Sequence, residues 1–296
     1  MIAIKPKIGF IGLGLMGQGF TQRLIGCGYA VTGFDIAAAK IEQATKHGVS
    51  AAGSPAEVAA ASDIVLMCVT STKSVEEAVF GKTGIAEGAQ SGSILVDHST
   101  TVVSATRSMA ERLKTETGMS WVDAPVSGGP EGAMTGTLAI MAGGAEEDAA
   151  RIQPIMDALS AAFTLFGPVG SGQVAKMVNQ VLVLNNYAVL AEALALAEAG
   201  GIDASKIPNA LAAGHAGSNL LKAVFPRMIE RDFAPRGYAR QVLKDLDMLH
   251  DLAQGLKTPT PMSSQTASLF RILNSKGHEE LDGIAILKLF DQNDSL

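Results

Sequence analysis

Cysteine is scarce in this chain of 296 residues: Cys27 and Cys68 are the only two. Two thiols cannot build a disulfide framework, which points to a reducing, cytoplasmic compartment. Cys68 lies inside the apolar run DIVLMCV and reads as an inert core residue. Charge is also sparse, at 18% of residues, with a net value of −6. No block of Lys and Arg occurs, so nucleic acid and anionic membranes are poor partners. His47, His98, His215, His250 and His278 are scattered without metal-ligand spacing, and no metal is expected. No apolar run reads as long and charge-free enough to cross a bilayer. The opening MIAIKPKIGFIGLGLM has lysines before an apolar stretch, yet its glycines argue against a signal peptide.

What is present is an ordered alternation. Short β-like runs (KIGFIGLG, AVTGFD, DIVLMCV, SILVD, WVDAPV, LAIMAGG, FTLFG) are separated by helical segments in the first half. Ser54-Pro55-Ala56-Glu57 has the form of a capping box opening a short helix. Such runs predict an α/β domain with a parallel, doubly wound sheet covered on both faces. After Gly170 helical segments rich in alanine and leucine dominate, beginning with a long one over residues 173–199. The turn-forming GPVGSG places a boundary near residues 167–171. The expected domains are therefore 1–168 and 169–296, the second all-helical.

Gly12-Leu13-Gly14-Leu15-Met16-Gly17 has the form G-x-G-x-x-G, between a β-like run and a helix. In that setting Gly12 makes the tight turn and Gly14 lets a pyrophosphate approach the backbone. Gly17 lets helix and strand pack closely. Asp35 ends the second β-like run, where a carboxylate accepts hydrogen bonds from a ribose and repels a 2′-phosphate. No arginine follows in DIAAAK, so NAD is preferred to NADP.

Three further stretches carry candidate chemistry. Ser127-Gly128-Gly129 offers a hydroxyl and two unhindered N–H groups, suited to a carboxylate, or else simply a flexible turn. Thr100, at the end of SILVDHST, faces a nicotinamide or caps the next helix. Lys176 stands in the apolar helix SGQVAKMVNQVLVLNN with Asn179 at i+3 and Gln180 at i+4, on one helix face. A lysine there snorkels to water, or is held in a crevice between two domains. Burial in such a crevice favours the neutral amine and makes a proton carrier.

GFIGLGLMG, DHST, DAPVSGGPEGAMTGTL, GSGQVAKMVNQ and KDL (residues 244–246) occur in this order. Together they resemble the β-hydroxyacid dehydrogenase family over essentially the whole chain. The resemblance implies a Rossmann-type domain, a helical C-terminal domain, a long helix joining them, and homodimers or homotetramers. It implies Lys176 as acid/base, Asn179 as a substrate-orienting residue and Ser127, Gly128 and Gly129 as the carboxylate site. It places Thr100 near the nicotinamide and Lys244 near the cofactor. Gln180 stands where many members have Asn, and Ile284 where members often carry a small polar residue.

The expected activity is NAD-dependent hydride transfer to or from a small 3-hydroxy acid, of the 3-hydroxyisobutyrate, glycerate/tartronate semialdehyde or threonate type. Arg231, Arg236, Tyr238 and Arg240 form either a reader of a polar acid's distal end or a solvated basic face. An imine reductase and a catalytically silent NAD-binding module are the competing readings; imine-reducing members of the family generally lack the residue matching Lys176, and a silent module should have lost Lys176 or Ser127.

Overall fold

The computed structural model describes residues 5–291, and the chain divides into two compact units, Met1–Lys176 and Met177–Leu296. The first unit opens with β1 (Ile8–Ile11), α1 (Leu15–Gly26), β2 (Val31–Phe34), α2 (Ala38–Thr45), β3 (Ser50–Ala51) and α3 (Pro55–Ala60). It continues with β4 (Ile64–Met67), α4 (Thr72–Phe80), α5 (Ile85–Gly88), β5 (Ile94–Asp97), α6 (Val103–Thr117) and β6 (Ser120–Asp123). The six strands are parallel, in the order β3-β2-β1-β4-β5-β6. This is the doubly wound order with its switch point between β1 and β4.

Successive side chains of a strand point to opposite faces. Ile8, Phe10, Ile64, Leu66, Ile94 and Val96 enter one core, and Ile11, Val65, Met67 and Leu95 enter another. Both faces are packed, so the strands are apolar at nearly every position rather than at alternate ones. At the start of α3, the Ser54 hydroxyl accepts the Glu57 N–H at 3.2 Å. The Glu57 carboxylate reaches the Gly53 N–H at 2.7 Å, one residue before the reciprocal position of a capping box.

The last β candidates divide differently from the single parallel sheet expected. Within WVDAPV, the residues up to Asp123 join that sheet. Pro125 lacks an N–H for the ladder, and the chain leaves. β7 (Val126–Ser127), β8 (Leu138–Ala142) and β9 (Ser160–Leu165) form a separate three-stranded sheet, β7 antiparallel to β8 and β8 parallel to β9. α7 (Gly129–Thr135) and α8 (Glu146–Leu159) connect its strands. Cys68 falls just after β4 and is half-buried rather than in the core interior.

α9 (Ser171–Ala199) is one helix of 29 residues that begins in the first unit and continues in the second. It corrects the expectation that no segment could cross a bilayer. Uncharged amides and alanines leave residues 177–191 free of charge, and a window of mean hydropathy 1.4 meets the requirement of length and composition. The core helix of a water-soluble protein passes the same test, and Leu184, Ala188, Ala191 and Leu194 of α9 are core residues of the second unit. That unit continues through α10 (Ile207–Ala210), α11 (Asn219–Ile229), α12 (Ala239–Gly255) and α13 (Pro261–Ser275). The core there is built from Phe225, Leu246, Phe270 and Ile284. Ile284 is fully buried, which explains an apolar residue in that place.

Candidate active site

The glycine loop follows β1 at the switch point. Gly12 has φ of 92°, and a Cβ there would lie 2.3 Å from the Cys68 carbonyl oxygen. A Cβ at Gly17 would lie 2.0 Å from the Gly12 carbonyl oxygen, so α1 could not pack on the loop. Gly14 differs: a Cβ there would meet nothing nearer than Lys40 Nζ at 3.9 Å. Packing does not require that glycine, and its bare backbone leaves an open approach. Gly14 is also the N-cap of α1 and supplies no side-chain cap. The first N–H groups of α1 thus suit an anion, and a pyrophosphate fits the opening. Leu13 is fully buried, Leu15 is exposed, and Met16 packs partly against the core.

Asp35, just past β2, is buried. Its Oδ2 accepts the Leu13 N–H at 2.8 Å and its Oδ1 accepts the Ala37 N–H at 2.9 Å. The carboxylate is thus tied to the glycine loop, with lone pairs left for ribose hydroxyls. Lys40 Nζ stands 3.9 Å from Asp35 Oδ1, so a cation faces this carboxylate although no arginine follows it in DIAAAK.

The ends of β5 and β6 carry a buried polar cluster. Asp97 and Asp123 are register partners, both fully buried. Asp97 Oδ1 accepts the Ser99 N–H at 2.9 Å. Burial pushes the Asp97 carboxyl up to about 7, against the opposing bonds from Ser99, and Asp123 adds to the rise. Burial also raises the Asp123 carboxyl, opposed by backbone N–H groups. His98 stacks on Phe20 at 4.8 Å and bonds the Ala124 carbonyl through Nδ1 at 2.7 Å. Burial pushes its imidazole down to about 4. His98 is therefore a neutral core residue.

Asp123 Oδ1 accepts the Gly170 N–H at 2.7 Å, and Oδ2 accepts the Gln173 N–H at 2.9 Å. One carboxylate thus caps the start of α9. Three residues on, Lys176 is 8% exposed, and its Nζ donates to the Val126 carbonyl at 2.9 Å. It does not snorkel. Val126 precedes Ser127, so the amine is brought beside the segment Ser127-Gly128-Gly129. Gly128 and Gly129 adopt φ of 129° and 66° and are exposed, and Ser127 is half-buried. Thr100 is half-buried in the loop after β5.

In the second unit, Asn179 Nδ2 donates to Gln180 Oε1 at 2.9 Å, and Gln180 Nε2 donates to Asp245 Oδ2 at 2.5 Å. Asp245 Oδ1 lies 3.1 Å from Lys244 Nζ. Asn179 and Lys244 are thereby joined through Gln180 and Asp245. Asp245, directly after a lysine, reads as part of an exposed pair in sequence. Asp123 and Gln173 carry no local signal, because they meet each other across 50 positions and Gln173 meets Thr101 and Ser99 across more than 70. The arginines are not brought together as a reader of a polar acid. Arg231 pairs with Glu198 at 2.8 Å and Asp291 at 3.1 Å, and Arg240 with Glu280 at 2.7 Å. Arg236 lies 3.9 Å from Asp232, and Tyr238 sits under the Arg240 guanidinium. Carboxylates distant in sequence take up Arg231 and Arg240, which the local pattern could not show.

Residues 7–167 match the family model described as the NAD binding domain of 6-phosphogluconate dehydrogenase. Residues 170–290 match the one described as NAD-binding of NADP-dependent 3-hydroxyisobutyrate dehydrogenase. The chain is 34% identical to 2-hydroxy-3-oxopropionate reductase of Escherichia coli, covering 96% of this chain and 97% of that one. It is 32% identical to the NAD-dependent L-serine dehydrogenase of Pseudomonas aeruginosa, with 96% and 98% covered. The crystal structure of 3-hydroxyisobutyrate dehydrogenase from Salmonella typhimurium superimposes with a TM-score of 0.88 at 27% identity, covering 96% of this chain and all of that one. The glycine loop, the sheet order and these matches place the chain in the β-hydroxyacid dehydrogenase family of NAD-dependent oxidoreductases.

Proposed function

We propose that this enzyme oxidises a small 3-hydroxy acid, and reduces the corresponding semialdehyde, with Lys176 as general acid/base. The observation that carries this reading is the burial of Lys176 with its amine against the Val126 carbonyl, next to Ser127. The hydroxyl of Ser127 and the N–H groups of Gly128 and Gly129 hold the substrate carboxylate. Asn179 orients the substrate hydroxyl, with its amide set by Gln180. Lys176 Nζ takes the hydroxyl proton during oxidation and returns it during reduction. The nicotinamide, when bound, accepts or supplies the hydride. Gly12, Gly14, Gly17 and the start of α1 hold its pyrophosphate, and Thr100 and Lys244 flank the cofactor.

Asp35 supports NAD over NADP, because a buried carboxylate at the ribose end repels a 2′-phosphate. The relatives' substrates support 3-hydroxyisobutyrate, tartronate semialdehyde or serine as the acid class. The ion pairs of Arg231 and Arg240 withdraw support from threonate and other sugar acids. A cytoplasmic homodimer or homotetramer completes the proposal.

The test is NADH formation across a panel of 3-hydroxy acids, repeated with Lys176→Met. Turnover should fall by about two to four orders of magnitude in the folded variant. Near-normal turnover would end the lysine's assignment. Asp35→Asn should raise the NADP-to-NAD ratio of kcat/KM roughly tenfold, about 1.4 kcal/mol; an unchanged ratio would remove Asp35 from cofactor selection.

A further inference from the structure

We infer that Gln173 is a positioning residue: its side-chain amide staples the loop after β5 to the turn of α9 that carries Lys176. The inference rests on the reading of Lys176 as the acid/base. Gln173 is fully buried. Its Oε1 accepts the Thr101 N–H at 3.0 Å, and its Nε2 donates to the Ser99 carbonyl at 2.8 Å. These two bonds hold the backbone on both sides of Thr100. Its own N–H is held by Asp123 Oδ2. A single residue thus ties together the ends of β5 and β6 and the first turn of α9.

A second observation shows how tightly that turn is seated. A Cβ on Gly172 would lie 2.4 Å from the Met141 carbonyl oxygen and 2.6 Å from that of Asp123. One on Gly143 would lie 2.7 Å from the Ser171 nitrogen. The start of α9 therefore rests directly on the strand-end backbone, with no side chain between. Packing sets the height of the turn, and the Gln173 amide sets its register against the loop of Thr100. Hydride leaves the substrate carbon and the proton leaves its hydroxyl oxygen, so Lys176 and the loop of Thr100 need to be placed together, and a misplacement of about 1 Å can cost roughly a hundredfold in rate. Gln173 touches neither reacting group, so its loss should lower kcat and leave binding intact.

An amide is suited to this task because it donates and accepts at once. A protonated glutamic acid does the same, but an ionised one cannot donate to the Ser99 carbonyl. Gln173→Glu should therefore approach wild-type turnover at acid pH. The ratio of its kcat to that of the wild type should fall about tenfold or more as the new carboxyl ionises. Asp97 of β5, His98, Asp123 of β6, Arg107 of α6 and Lys176 of α9 are the ionisable groups around the staple. A new carboxylate also shifts their titration, so the same pH series on Gln173→Met, which adds no charge, is the reference, and the Gln173→Glu ratio should fall to that of Gln173→Met. Gln173→Met removes both bonds at similar volume. It should lower kcat about tenfold to a hundredfold, with the Kd for NADH within about twofold of wild type. Folded fraction is read by circular dichroism at each pH, and turnover is expressed per folded molecule.

The inference is overturned if Gln173→Met turns over as wild type, or if its loss of kcat is matched by loss of NADH binding. A flat Gln173→Glu ratio near one overturns it too. Should Gln173→Glu unfold as it ionises, the Gln173→Met result decides alone. Lys176→Met separates the two readings. If it is inactive while both Gln173 variants behave as wild type, the positioning role alone falls. If it is fully active, the acid/base reading falls.

Discussion

The two compact units bury charge in different ways. In the first, the carboxylates of Asp97 and Asp123 are met by backbone N–H groups, from Ser99, Gly170 and Gln173. In the second, Arg227 is met by charge. It lies 3.0 Å from Asp232 and 3.6 Å from Asp282, and also donates to the Asp232 and Ala234 carbonyls. A carboxylate satisfied by N–H groups gathers loops and helix starts around itself, which is what a strand-end site requires. Asp282 also accepts the N–H groups of Arg236, Gly237 and Ile284, but there the Arg227 guanidinium closes the cradle and holds the elements together. The lesson is that the partner of a buried charge, rather than the charge, separates a site from a clamp.

That contrast can be broken at several points. Loss of Lys176 stands first, with a turnover effect about equal to 3 to 5 kcal/mol and little loss of stability. Arg227→Ala should do the reverse. Leaving Asp282 buried without its cation should cost about 3 to 5 kcal/mol in urea unfolding, with turnover per folded molecule preserved. A normal unfolding midpoint would show that the second unit does not depend on that pair.

Asp97 and His98 sharpen the contrast through pH. The Asp97 carboxyl is raised from 3.8 to about 7, so the folded state holds its proton longer than the unfolded one. Its contribution is full below pH 3.8 and is lost as pH rises towards 7. The His98 imidazole is lowered from 6.5 to about 4, so its contribution is full above 6.5 and is lost as pH falls towards 4. The two oppose each other between those values. Asp123 is also raised and opposes the histidine in the same sense, so the test is a difference. Between about pH 4 and 6.5 the stability of Asp97→Asn should rise with pH more steeply than that of the wild type, by up to about 1.4 kcal/mol per unit. An equal slope in the two proteins would contradict the raised carboxyl of Asp97. The smallest effect belongs to Arg240→Ala. Its partner Glu280 is exposed, and the loss should stay below about 1 kcal/mol.

Much of the first unit was legible in the residues. G-x-G-x-x-G, Asp35 and the apolar runs encode their geometry within a few positions, because turn, strand and helix start are local structures. Lys176 was legible too, as a cation in an otherwise apolar helix. The staple was not, because Gln173 meets Thr101 and Ser99 across more than 70 positions, and Asp123 across 50. The second sheet was hidden because LAIMA and SAAFTL have the same periodicity whichever sheet receives them.

The order of the residues by itself determined the doubly wound sheet, the dinucleotide loop and the long helix, since each follows from short-range sterics and hydrophobic period. Only tertiary structure decided which polar groups meet. It paired Arg231 and Arg240 with carboxylates distant in sequence, and it set Lys176 against Val126. Hydrogen-bond and charge pairing between distant segments depends on three-dimensional proximity, which no local pattern carries.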